Sequence, residues 1–410
     1  MQTSPARMLP NWRTVLLSGV DFMDYSDRVV TPEETVAAMW PHLPSLGITR
    51  VARQTDLDRI GLPVWAAFRP NSRSLSGSQG KGLTDAAACA SAIMEAAEVA
   101  VAERPQTMKI ISSAEDLTAR RQRWYDPGRL LKDDATHGTS IRMTWLPGRD
   151  LHTSERIWVP LDAVDMDGER SRLKGICKTS NGLASGNTIE EAIFHGLCEL
   201  IERDGTALAS LLPLDAALAT CFAASDLGDP AVDALVATIE AAGFRINLFD
   251  QTSDLGVPVI MAVLAPIQSG PLRYLDISAG WGSHPVPARA AIRAITEAAQ
   301  SRVTSIASSR DDISEQAFET EANDELVAQV TAQPRASAPI GLRRGTSLAE
   351  LNSNLLTALA ARGCNVTVVD ISPPGLPFAV AKVLSADLED RDANTNWRPG
   401  WRATEILVAA

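Results

Sequence analysis

A mixed α/β chain (α+β, with antiparallel or mixed sheets beside long helices) is predicted from three observations. Helix starts recur with a hydroxyl cap and acid in the first turn, at Thr31, Thr84 and Thr188. Short β-branched or alternating runs stand between them, bounded by Gly, Pro, Asn and Asp. Thr139 to Trp145 and Arg156 to Pro160 alternate as a hairpin would, around Leu146-Pro147-Gly148-Arg149-Asp150.

In chain order, residues 1 to about 30 show no clear period. Thr31-Pro32-Glu33-Glu34-Thr35 opens a helix to Trp40 or beyond, with proline at the first position, where a missing N–H is harmless. Gly47 to Ala52 and Val64 to Phe68 read as strands around the turn Asp56 to Pro63. Arg69 to Thr84 reads as a Gly-rich, basic loop, followed by an alanine-rich helix from Asp85 to about Glu103. Residues 106 to 112 read as a strand, 115 to 135 as helix then loop, and Leu161 to Lys174 as a polar connection. Thr179 to Asp204, TSNGLASGNTIEEAIFHGLCELIERD, opens as loop, and its helix buries Ile193, Leu197, Leu200 and Ile201.

Leu214 to Pro230 reads as a linker, and Ala231 to Ala242 as a helix closed by Gly243. Phe244 to Phe249, Val257 to Leu264 and Leu272 to Ala279 read as strands. Gly280 to Pro285 reads as a turn into a helix from Pro287 to about Ile306. Residues 308 to 345, with Asp311 and Asp312, read as polar helix and loop. An amphipathic helix from Ser347 to Arg362 precedes strands Val366 to Ile371 and Phe378 to Leu384, and the tail after Asp387 is irregular. No internal repeat or firm boundary stands out.

The 410 residues can bury a full core, and 45% hydrophobic with 21% charged residues fits a soluble globular protein. A net charge of −12 argues against nucleic acid or an anionic membrane as the main partner, and would suit a basic leader peptide. Cys89, Cys177, Cys198, Cys221 and Cys364 are scattered and odd in number, as reduced thiols rather than a disulfide or zinc framework. No export signal is evident, and the apolar run Val257 to Ile267 is too short to span a bilayer, so a cytoplasmic protein is expected.

Three helices carry the chemistry. Glu199 and Glu202 lie one turn apart, followed by Arg203. Glu95 and Glu98 repeat that spacing among Ala92, Ala96 and Ala97. Arg289, Arg293 and Glu297 share a stripe on the third helix, with Gln300 beside it. Solvated helix faces would give the same spacings. Three acid-bearing helices converging with arginines would instead cage magnesium and a polyphosphate, since hard cations take oxygen ligands. The loop around Lys81 lacks Walker A spacing, so no P-loop fold is implied, although such loops also offer N–H groups to phosphate. His284 before Pro285 suits either a proton carrier or a positional residue.

The run N-G-L-A-S-G-N-T-x-E-E-A-x-x-x-x-L-x-E-x-x-E-R-D closely resembles the signature of the YcaO family, which activates backbone amides of ribosomally made peptides with ATP. S-x-G-K-G followed by S-A-x-x-E-x-x-E, and G-x-H-P followed by A-x-R-A-x-T-E-A-x-Q-x-R, extend the resemblance over roughly residues 65 to 305. It implies a YcaO-type fold with an ATP and Mg2+ site between helices, built as one catalytic unit over 1–410 with a C-terminal portion from 306 to 410. It implies Glu95, Glu199, Glu202 and Glu297 as magnesium carboxylates. Ser78, Lys81, Glu98, Asn187, Arg203 and Arg293 match nucleotide-contacting positions, and Arg28 and Thr35 match the N-terminal contacts by spacing. Glu199, Glu202, Arg203 and Arg293 are the implied catalytic set.

The implied reaction adds a nucleophile to an amide carbon, phosphorylates the resulting oxyanion, and expels phosphate. A substrate Cys, Ser or Thr gives an azoline, and sulfide gives a thioamide. Azoline-forming members often end in a P-x-P-x-P tail, whereas this chain ends in Arg398-Pro399-Gly400-Trp401-Arg402 to Ala410. R-P-N-S-R-S-L-S-x-S-Q-G-K-G and T-P-E-E-T resemble members encoded beside TfuA-type proteins, so thioamide formation with a TfuA-like partner is expected, and the resemblance also allows a homodimer. A cyclodehydratase and a non-catalytic nucleotide- or peptide-binding adaptor are the rival readings.

Overall fold

The computed structural model describes residues 27–126, 138–169, 178–268, 270–307, 315–342, 347–391 and 397–409. Readings of residues 1–26, of 127–135, of 170–177 (Cys177 included), of 308–314 (Asp311 and Asp312 included) and of 343–345 fall outside these.

The chain opens with α1 (Pro32–Met39), where the Thr31 hydroxyl accepts from Glu34 N–H and the Glu34 carboxylate accepts from Thr31 N–H, a reciprocal cap. Strands β1 (Arg50–Arg53), β2 (Val64–Phe68) and β3 (Gly77–Lys81) form an antiparallel sheet under α2 (Asp85–Ala102). Then follow β4 (Ile110–Ser112), α3 (Ala114–Ala119), β5 (Arg123–Trp124), β6 (Met143–Asp150), β7 (Arg156–Pro160) and β8 (Leu183–Gly186). The long helix α4 (Ile189–Ala209) leads through α5 (Leu214–Ala219), β9 (Cys221–Phe222) and α6 (Pro230–Ala241) to β10 (Phe244–Asp250), β11 (Val259–Pro266) and β12 (Ser278–Ser283). The chain continues with α7 (Pro287–Ala307), α8 (Asp324–Thr331), α9 (Leu348–Ala361), β13 (Thr367–Asp370), β14 (Ala379–Leu384) and α10 (Trp401–Ala409).

The predicted mixed class is what the structure shows. One sheet runs β12-β11-β10-β9, antiparallel throughout. The largest, β5-β7-β6-β13-β14-β8 with β4 on β6, is mixed, because β5 pairs parallel with β7 while the remaining pairs are antiparallel. Helix α4 is sandwiched between this sheet and α9, burying Phe194, Leu197 and Ile201 against Val366, Val368 and Val383.

Several local expectations change: the strand predicted at 272–279 begins only at Ser278, and the hairpin turn predicted at 146–150 is the second half of β6. The predicted loop around Lys81 is strand β3, and the predicted turn at 280–283 is the end of β12. Both carry glycine for the same reason. A Cβ on Gly80 would lie 2.1 Å from Ala92 N, and one on Gly280 would lie 2.2 Å from Ala298 N. These glycines let α2 and α7 rest directly on strand backbone. The linker at 214–230 contains α5 and β9, and the tail holds α10. Cys89, Cys198, Cys221 and Cys364 are buried free thiols, as core residues should be.

Candidate active site

Helices α2, α4 and α7 bring the predicted acids together. Glu95 is exposed on α2; Glu98 on α2, Glu199 on α4 and Glu297 on α7 are half-buried; Glu202 on α4 is buried. Each lies within the electrostatic field of others in the set. Glu95 feels Glu199 and Glu297, and Glu202 feels Glu297. Although part of its side chain stays open to solvent, loss of hydration beside the other helices, then the nearby Glu199 and Glu297, push Glu95 up to about 7 against the attraction of Lys81. Burial and Glu202 push Glu199 up to about 7 against the pull of Arg203. Burial and Glu297 raise Glu202, and burial with Glu199 and Glu95 raises Glu98. Glu297 goes the other way: burial would raise it, but the ion pair with Lys81 holds it low.

Lys81, at the end of β3, and Arg293, on α7, connect this acid cluster to a cavity of about 380 Å3. Arg28, Thr35 and Asn187 line the same cavity. Arg28 donates to Glu191 (3.1 Å) and to Ser185 O (3.3 Å), and Thr35 Oγ1 donates to Asn187 Oδ1 (3.0 Å). Arg293 Nε and Ser283 Oγ, on the cavity wall, are buried with no hydrogen-bond partner among the described residues. Arg203 is half-buried and acts electrostatically on Glu199, Glu202 and Glu297.

Of the predicted site residues, Glu95, Glu98, Glu199, Glu202, Arg203 and Glu297 stand outside the cavity lining but feel one another's charge, whereas Ser78 lies outside it on the opposite face of β3 from Lys81. It alternates with Lys81 on β3, shares the face of Gly80, and is buried against α2 outside the cavity. Ser91, on α2, lines the cavity instead, and its place one turn before Glu95 was the available signal. Glu191 was also missed. It reads as an ordinary first-turn acid, yet it is fully buried and accepts from Arg28, from Val29 N–H and from both nitrogens of Asn187. His284 lines the cavity and is held at both ring nitrogens: Nδ1 accepts from Val286 N–H at 2.9 Å, and Nε2 meets Asp27 at 2.8 Å. The predicted phosphate loop divides: Lys81 to Thr84 line the cavity, whereas its earlier part is committed to Glu103. Arg73 N–H, Ser74 N–H and the Ser72 and Ser74 hydroxyls all donate to Glu103.

The sequence model described as YcaO cyclodehydratase, ATP- and Mg2+-binding, matches residues 79–389. The chain belongs to the YcaO family. An uncharacterized protein in the tfuA 3' region of Rhizobium leguminosarum bv. trifolii is 36% identical over 406 residues, covering 96% of each chain. An uncharacterized protein of Methanothermobacter thermautotrophicus is 36% identical over 291 residues, covering 70% of this chain and 73% of its own. The fold matches YcaO from Methanopyrus kandleri, solved with AMPPCP and Mg2+, with TM-score 0.68 and 23% identity over 92% of this chain and 96% of that one. A heterocyclase in complex with substrate and cofactor matches with TM-score 0.72 and 21% identity, over 88% of this chain and 53% of that one.

ATP and Mg2+ are thus the cofactors of this YcaO protein. The residues fit them. All the acids are hard oxygen donors, and burial together with mutual repulsion raises Glu95, Glu199 and Glu202 in spite of Lys81, Arg203 and Arg293, a setting that a divalent cation would relieve. Among the described residues the acids do not close a metal cage by themselves, which suits an ion that takes much of its shell from water and phosphate.

A pH prediction follows. Glu95 and Glu199 keep their protons in the folded, metal-free protein up to about pH 7, whereas the unfolded chain releases them near 4.5. Their stabilising contribution is present below about pH 4.5 and lost as pH rises through 7. Magnesium competes with those protons. Its affinity should rise from pH 5.5 to 7.5, with proton release detectable by calorimetry in two buffers of different ionisation enthalpy. No helix among the described residues is long and apolar enough to cross a membrane.

Proposed function

We propose that this YcaO protein phosphorylates the oxygen of a backbone amide in a ribosomally synthesised peptide, with ATP and Mg2+, and that a thioamide results with a TfuA-like partner. The observation that carries the reading is the electrostatic meeting of Glu95, Glu199, Glu202 and Glu297 with Lys81, Arg203 and Arg293, of which Lys81 and Arg293 also line the cavity. In this reading the four acids hold Mg2+. Lys81, Asn187, Arg28, Thr35, Arg203, Arg293 and Glu98 hold the nucleotide, and Ser78, facing α2, is left out of the set.

ATP supplies the phosphoryl group, and Mg2+ neutralises its charge. Arg203 and Arg293 orient that group and stabilise charge on its equatorial oxygens, and Lys81 adds a point charge. Glu191 fixes Arg28 and Asn187, so the nucleotide meets a wall that is already ordered. No nucleophile of the protein is required. The 36% identity to a protein from a tfuA region supports the sulfide-derived product. The family description favours a second outcome, azoline formation on a substrate Cys, Ser or Thr.

Intact-mass spectrometry of the peptide encoded beside this protein decides between them, after incubation with the enzyme, Mg-ATP, sulfide and a TfuA-like neighbour. Replacement of oxygen by sulfur adds about 16 Da and loss of water removes about 18 Da, with O-phosphorylation discharging the same amide oxygen in each case. No mass change and no ATP consumed would overturn both and leave the adaptor.

A further inference from the structure

Asp204 ends the E-x-x-E-R-D run, two residues after Glu202, so it leaves α4 about 200° around the helix from that carboxylate. It faces away from the acids, and it is wholly buried. Its partner comes from the far end of the chain. Arg402 on α10 is 2% exposed and makes a two-point pair with it, Nε to Oδ1 and Nη2 to Oδ2, both 2.9 Å. Glu389 N–H adds a third bond to Oδ1 at 3.1 Å, and Ser253 Oγ lies 3.4 Å from Oδ2. Arg402 also reaches Asp254. The start of α10 is itself tied down, because the buried Glu389 carboxylate accepts from Gly400 N–H (3.0 Å), Ala403 N–H (3.0 Å) and Trp397 Nε1 (3.2 Å).

We propose that Arg402 is a positioning residue for the magnesium–nucleotide chemistry, acting through Asp204 on the turn of α4 that carries Glu202 and Arg203. The inference rests on the reading of the acids as magnesium ligands. Two physical consequences carry it. The acids on α2, α4 and α7 repel one another, and a two-point pair on the back of α4 opposes displacement of that helix away from them. The pair also saturates Asp204. Left ionised and unpaired, Asp204 would be an uncompensated buried charge drawing on its sequence neighbour Arg203. With both oxygens occupied by Arg402, Arg203 stays available to Glu199, Glu202 and Glu297.

The test uses full-length protein and reads melting temperature, magnesium dependence at saturating ATP, and kcat against KM for ATP. Arg402→Met strands a buried carboxylate and destabilises the fold, so the informative variant is the double Asp204→Leu, Arg402→Met. An apolar pair in place of a buried ion pair holds or gains stability. That variant is expected to melt within a few degrees of wild type, yet to need about tenfold more Mg2+ and to lose about tenfold in kcat, with KM for ATP nearly unchanged. Arg402→Lys, which keeps the charge but not the fork, should fall between. A folded double variant with wild-type magnesium dependence and kcat would overturn the proposal. Wild-type protein that binds no Mg-ATP by calorimetry would instead overturn the reading of the acids on which it stands.

Discussion

Glu202→Gln should remove magnesium-dependent ATP turnover, by on the order of 10³-fold, comparable with deleting a preorganised charge partner of a transition state. The fold should survive. Glu202 accepts the Ser283 N–H at 3.1 Å, and a Gln oxygen accepts the same bond. The substitution also removes a buried charge that Glu297 repels, so the metal-free variant should melt a few degrees higher than wild type. Glu199→Gln should behave alike, because Glu199 is pushed up to about 7 by burial and by Glu202. The two readouts separate function from folding: melting temperature up without magnesium, and the stabilisation by Mg-ATP lost in both variants. Turnover that survives in either would remove that residue from the metal set.

Lys81→Met is expected to weaken ATP binding by about 10–100-fold, the range of about 1.5–3 kcal/mol for a hydrogen bond to a charged group. Lys81 stands where the cavity meets the cluster, paired with Glu297 across two separate sheets' helices and strands. Its loss also frees Glu297, which Lys81 alone among the nearby groups both attracts and hydrogen-bonds. The variant should therefore lose stability above about pH 4.5, where Glu297 ionises in the unfolded chain. Lys81→Met with Glu297→Gln should recover that stability while turnover stays lost. Calorimetric titration with Mg-ATP and a thermal melt at two pH values check both parts. Lys81→Met with wild-type ATP affinity would place the phosphates elsewhere.

The acids were legible because helical spacing is local. Thr188 caps α4 by accepting from Glu191 N–H, and everything on that helix follows in register: Asn187 before the cap, then Glu199, Glu202 and Arg203. What could not be read was which face of a strand meets which helix. Gly80, Gly280 and Gly282 looked like turn punctuation, but each is glycine because a helix backbone occupies the space a Cβ would fill. Ser78 entered the site by the resemblance of S-x-G-K-G alone, and the strand that carries it sets it on the opposite face from Lys81. Helix α10 was invisible for another reason. Its nine residues follow Arg398-Pro399-Gly400 and are held by Glu389 and Asp204, partners 14 and 198 residues away. Glu191 gave no sign of burial, because its partners Arg28 and Val29 come from a stretch with no period.

The contact of α2 and α7 with bare strand backbone has a consequence for how such an enzyme can change. The heights of Glu95 and Glu297 above their sheets are set by main-chain contact, with no side chain between that could shrink or swell. Core residues elsewhere can therefore drift while the acids keep their separation, so on the proposed reading the cavity lining can vary without moving the carboxylates that would hold Mg2+. Gly80 and Gly280 carry the reverse burden: in a deep mutational scan they should score as intolerant as the acids themselves, although neither has a side chain to offer to ATP.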